Sequence, residues 1–200
     1  MNTVTNTVAP VNVGVLFFEE VEELDAVGPW EVLGYWAHHV AAFPVRVYAI
    51  GRERGVVRCS KGLGLTMDYD VRDAPRLDLL VHPGGDGTNV LQEDADHLKW
   101  LRALHGDGTL MASVCTGSLV FAAAGLLAGQ PATTHWRYGD FFAELDSSVD
   151  VRVEERFVDN GTVVTSAGVS AGIDMALHLV SRLDSPEAAE TVRQGIQYAA

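Results

Sequence analysis

Cysteine is scarce in this sequence: Cys59 and Cys115 are the two among 200 residues. That is too few for a disulfide framework. Basic residues are also few, 14 Lys and Arg against 27 Asp and Glu, for a formal net charge of −13. A surface of that sign disfavours a phosphate backbone or an anionic membrane as partner, so nucleic-acid and membrane binding are set aside. No run reaches the ~18 apolar residues that a membrane span needs. The opening MNTVTNTVAP has neither the basic start nor the apolar run of a secretory signal, so a cytoplasmic location is expected. Internal repeats and low-complexity segments are missing too. Metal-ligand spacing is equally thin: His38 and His39 are adjacent, and His97 and His105 stand apart among residues that read as exposed. No metal and no cofactor are expected.

What is present is an ordinary globular composition, 48% apolar and 20% charged. Length allows one domain, read as residues 11–200 behind a loose polar tail at 1–10. Val11–Phe18, Leu77–His82 and Thr109–Val114 are apolar runs of the kind buried on both faces of a parallel sheet. Phe43–Ile50 alternates, as a less buried strand does. Hairpins are expected around Lys61-Gly62 and at Asp159-Asn160-Gly161. Helices are expected from Pro29, over Asn89–His105 with Val90, Leu91, Leu98, Leu101 and Leu104 on one side, after Gly117, over Arg137–Leu145, after Gly168, and from Ser185-Pro186. Strands alternating with helices give an α/β fold, a doubly wound, mostly parallel sheet with helices on both faces.

In such a sheet, ligands bind beyond the carboxyl ends of the strands. Cys115 stands where the third buried strand breaks into a helix, with Gly117 allowing a sharp turn. This is the thiol counterpart of a nucleophile elbow, and amides at the helix start should lower the thiol pKa. The competing reading makes Cys115 one more small buried hydrophobe; Cys59, in a hairpin, keeps that reading. Gly84 and Gly85, in His82-Pro83-Gly84-Gly85-Asp86-Gly87, offer bare amides for developing charge, or simply a tight turn. Asp25 is either an acid/base group or one solvated acid among Glu19, Glu20, Glu22 and Glu23; flanking Leu24, Ala26 and Val27 favour burial. His135 is a base near Cys115 or a satisfied polar residue. Gly168-Val169-Ser170-Ala171-Gly172 matches the serine-hydrolase pattern, but the only later His, His178, lies on the same helix and cannot readily relay to Ser170.

Ser113–Trp136, with Cys115-Thr116-Gly117 and the downstream Ala-Thr-Thr-His-Trp, resembles the nucleophile region of isocyanide hydratases of the ThiJ/PfpI superfamily. Val13–Leu33, Val81–Thr88 and Ser166–Leu177 resemble other family segments, in order. The resemblance implies a flavodoxin-like, class I glutamine amidotransferase-like fold. It implies Cys115 as nucleophile, Asp25 as acid/base group and Thr116 as support beside the thiol. Amides of Gly85 and Thr116 would face the reacting atoms, with Gly84, His135 and Val169 around a small-molecule substrate. Family members are commonly homodimers. Thr116 stands where the peptidase-like members carry His, which disfavours a Cys-His peptidase. The implied activity is hydration of an isocyanide to a formamide through a cysteine thioimidate. Glyoxalase-like chemistry on small electrophiles, or a ligand- or redox-sensing domain related to AraC-type regulators, are the alternatives. Isocyanide hydratases usually continue past Ala200, and a regulator origin would require a further helix-turn-helix region.

Overall fold

The computed structural model describes residues 9–199. Most of the expected 1–10 tail lies outside them. In chain order the elements are β1 (Val11–Phe17), α1 (Glu23–Tyr35), β2 (Val45–Gly51), β3 (Val56–Arg58), β4 (Gly64–Thr66), β5 (Tyr69–Asp70) and β6 (Leu79–His82). Then follow α2 (Thr88–Leu91), α3 (Ala95–Gly106), β7 (Leu110–Val114), α4 (Gly117–Ala123), β8 (Pro131–Ala132), α5 (Gly139–Leu145) and β9 (Asp150–Val151). The chain closes with β10 (Phe157–Asp159), β11 (Val163–Ser166), α6 (Ala171–Leu183) and α7 (Pro186–Gly195).

Seven strands form one sheet in the order β10-β11-β7-β6-β1-β2-β5. All neighbours pair parallel except β10, which turns back antiparallel on β11. The centre is the set of apolar runs seen in the sequence: every residue of β6 and β11 is buried. Such strands need cover on both faces. Helices α1, α6 and α7 pack together as one group, and α4 gathers α2, α3 and α5 as another. The fold is thus the flavodoxin-like, class I glutamine amidotransferase-like architecture. β3-β4 and β8-β9 are small separate ribbons.

Several sequence expectations need correction. Pro29 does not open a helix; it sits inside α1, which starts at Glu23. Proline there removes one helical hydrogen bond, at the carbonyl of Asp25 four residues back. The helix expected over Asn89–His105 is two: α2 ends at Leu91, and the Asp94 carboxylate caps α3 by accepting from the Asp96 and His97 amides. Val90, placed on the apolar side of a single helix, is therefore 65% exposed, while Leu91 and Leu101 enter the core. His97, read as exposed, is buried. The last hairpin is shorter than its sequence pattern, because Asp150–Val151 pairs with Pro131–Ala132 instead. Ser185 caps α7 as expected, accepting from the Ala188 amide.

Candidate active site

Four chain reversals meet beyond the carboxyl ends of β1, β6, β7 and β11. At the end of β7 the chain turns through Cys115 with φ 58°, in the left-handed region that L-residues rarely enter. Three residues hold this strained turn. The Cys115 amide donates to Ser166 O at 3.1 Å, and the Ser118 and Thr134 hydroxyls each donate to Cys115 O at 3.0 Å. Gly117 is required behind it: a Cβ there would stand 2.8 Å from Pro83 O. The elbow expected from the sequence is present, and Cys115 is 7% exposed.

Asp25, in the first turns of α1, is fully buried rather than solvated. Its carboxyl accepts from the Gly84 amide at Oδ2 and the Val169 amide at Oδ1, both at 3.0 Å. The Cys115 thiol lies beside it, close enough for each group to act on the other's pKa. Burial, with the Glu22 charge added, pushes the Asp25 pKa up to about 7 against the opposing effect of those hydrogen bonds. Val169 adopts φ 55°, a strained choice for a β-branched residue, and that conformation belongs to the loop whose amide reaches the carboxylate.

The expected depression of the thiol pKa is not met. Burial pushes the Cys115 thiol up, and the Asp25 charge adds to this; the Thr116 amide and hydroxyl act the other way but are outweighed. The two groups therefore behave as one proton-sharing pair. Protonating Asp25 removes the part of that upward push that comes from its charge and leaves the part that comes from burial.

The glycine amides also have fixed employment. The Gly84 N–H is taken by Asp25, and the Gly85 N–H donates to Thr116 Oγ1 at 3.0 Å instead of facing open space. A Cβ on Gly84 would lie 2.6 Å from Thr116 Oγ1 and 2.8 Å from Asp25 Oδ2. Thr116 is fixed in turn by Thr88, whose hydroxyl lies 3.1 Å from its own. Thr88 was not singled out in the sequence, and nothing in its local pattern marks it.

A small cavity of about 200 Å³ opens onto Cys115 and Thr116, lined also by Glu22, Gly85, Asp86, His135, Arg137, Tyr138 and Val169. His135 thus reaches the site, half-buried, its Nδ1 accepting from the Arg137 amide. Glu22, just before α1, and Arg137 and Tyr138, in a short 3₁₀ helix ahead of α5, are additional lining residues that sequence reasoning passed over, since only the tertiary fold brings them to Cys115. A larger groove of about 580 Å³, near Phe18, Arg52 and Val56, does not include the thiol. Among the described residues no group of three or more His, Cys, Asp or Glu could hold a metal ion. None of their helices is long and apolar enough to cross a membrane. The serine-hydrolase pattern dissolves: His178 pairs with Asp159, while Ser170 accepts from Arg156.

The sequence pattern of the DJ-1/PfpI family matches residues 11–182. The chain belongs to the DJ-1/PfpI family. It is 38% identical over 190 residues to an isonitrile hydratase of Pseudomonas putida, covering 94% of this chain and 79% of that protein. The HTH-type transcriptional regulator CdhR of Pseudomonas aeruginosa is 33% identical over 150 residues, which are 74% of this chain and 44% of the regulator. Among solved DJ-1/PfpI structures, a ThiJ/PfpI family protein from Pseudomonas syringae superposes with a TM-score of 0.86 at 29% identity, covering 100% of this chain and 81% of that one.

Proposed function

We propose that this protein is an isocyanide hydratase, a hydro-lyase that converts an isocyanide and water to an N-substituted formamide. The observation that carries the reading is the buried carboxyl of Asp25, held by the Gly84 and Val169 amides beside the thiol of Cys115 at a strained elbow. The 38% identity to an isonitrile hydratase supports the choice of substrate.

In this reading the terminal carbon of R–NC is the electrophile. Sulfur of Cys115 bonds to that carbon, and the proton shared by Asp25 and Cys115 passes to the same carbon. The product is a thioimidate, R–N=CH–S–Cys115. Water then adds to the carbon, with Asp25 accepting a proton from water and delivering one to nitrogen. The C–S bond breaks, its electron pair returns to sulfur, the added hydroxyl gives its proton to the sulfur as the C=O forms, and R–NH–CHO leaves. Nothing is oxidised or reduced, and no cofactor is consumed. Covalent catalysis divides one difficult addition into two easier steps. Thr116 supports the sulfur through its amide and hydroxyl, and the cavity beside it is of a size for a small substituent R.

Similarity to CdhR over 44% of that regulator favours a second reading, a ligand-sensing domain without turnover. A steady-state assay with a simple aryl or alkyl isocyanide separates the two. Turnover by wild type and none by Cys115→Ala supports the hydratase. Full activity in purified Cys115→Ala ends it, and turnover of glyoxal without isocyanide turnover replaces it with glyoxalase-like chemistry.

A further inference from the structure

The chemistry above leaves two buried histidines unused. His82 ends β6 and is 0% exposed; His97, in α3, is 5% exposed. Their Nε2 atoms lie 3.1 Å apart, and His82 Nδ1 lies 2.8 Å from Pro83 O. A carbonyl oxygen can only accept, so His82 Nδ1 carries a proton. Burial holds both rings well below the ordinary histidine range, so each is neutral. Neutral His82 then has a bare Nε2, and the His97 Nε2–H donates to it. Aromatic rings of Phe18 and Phe121 flank His82, and Trp100 flanks His97. The charged groups acting on the pair are Arg52 and Asp94, beside His97 and ion-paired to each other.

The carbonyl of Pro83 and the amide of Gly84 are two ends of one peptide group. The carbonyl end receives His82, and the amide end donates to Asp25 Oδ2 at 3.0 Å. We propose that His97 and His82 are positioning residues, a relay that aims and strengthens, through the Pro83–Gly84 peptide, the amide holding Asp25 against Cys115. A hydrogen bond received at C=O polarises the peptide and makes its N–H a better donor. Gly84 has no side chain of its own to pin this turn, so the ring at Pro83 O does that work. The catalytic consequence rests on the proposed role of Asp25; the geometry does not.

The test uses the full chain and two NMR readouts. Histidine ¹⁵N spectra of the wild type should show His82 as the Nδ1–H tautomer. In a Cys115→Ala background, which uncouples the pair, the ¹³C titration of the Asp25 carboxyl should move up by roughly half a pH unit or more in His82→Leu. His82→Asn, whose side-chain amide retains a donor near the Nδ1 position, should restore the wild-type midpoint. An Nε2–H tautomer at His82, an unmoved Asp25 titration in His82→Leu, or an equal shift in His82→Asn overturns the relay. If His82→Leu does not fold, the tautomer of the intact chain decides alone. Neither readout needs an isocyanide, so failure of the relay and failure of the hydratase reading are separate results.

Discussion

The Val169 amide donates to Asp25 Oδ1 at 3.0 Å across 144 residues of chain. With the Gly84 amide on the other oxygen, the carboxyl is held from both sides by groups that only donate. Asp25→Asn keeps the shape but turns an NH₂ toward one of those amides and removes the ionisable group to which the proposed mechanism gives the proton transfers. We expect kcat/KM for an isocyanide to fall at least ~100-fold, as loss of a general acid/base does, while circular dichroism stays native. Activity within tenfold of wild type would remove Asp25 from the chemistry.

Gly84→Ala tests how tightly the site is built. The added methyl would meet the Thr116 hydroxyl, the Thr116 amide and Asp25 within 2.8 Å. Overpacking of this kind typically costs about 1–3 kcal/mol. We expect a lower melting temperature together with a loss of turnover of roughly tenfold or more.

Ser170→Ala should leave kcat/KM within about twofold of wild type, because Ser170 bonds to Arg156 and has no histidine partner. A loss comparable to that of Cys115→Ala would revive the serine-hydrolase pattern.

The pH dependence of stability has a defined sign. His82 is pushed down to about 3 and His97 to about 4 by burial, while Asp25 is pushed up to about 7 by the same cause. In the unfolded chain histidine titrates near ~6.5 and aspartate near ~3.9. Between about pH 4 and 6.5 the unfolded chain binds two histidine protons that the folded chain refuses, and the folded chain binds one carboxyl proton that the unfolded chain lacks. Stability from the histidines is therefore lost as pH falls through this window, and Asp25 partly offsets that loss. Melting temperatures between pH 7 and pH 5 should decline, and decline more steeply in Asp25→Asn. A shallower decline in that variant contradicts the assignment.

Much of this was legible in the sequence where local pattern and tertiary outcome agree. The apolar runs at Val11 and Thr109 became central strands, and Cys115-Thr116-Gly117 became an elbow, because buried strands and glycine-dependent turns leave short-range signatures. Burial of Asp25 was only half legible: its four acidic neighbours hid it, and its apolar flanks gave it away. His97 was misread since its surroundings along the chain are polar, whereas its partners come from β6 and from Arg52, just after β2. The fate of the Gly84 and Gly85 amides had no sequence signal at all; it depends on where α1 and the Cys115 turn bring Asp25 and Thr116. The thiol pKa went wrong for the same reason, since a helix start is local and a buried carboxylate beside it is not.

Two residues with left-handed backbone, Cys115 and Val169, follow adjacent parallel strands, and one side chain from α1 touches both loops. Asp25 is in that sense a latch as well as an acid. Its grip opposes the tendency of each tense turn to unwind, so the Cys115 turn and the loop after β11 share one fastening. Anything that disengages the latch should slacken the two together.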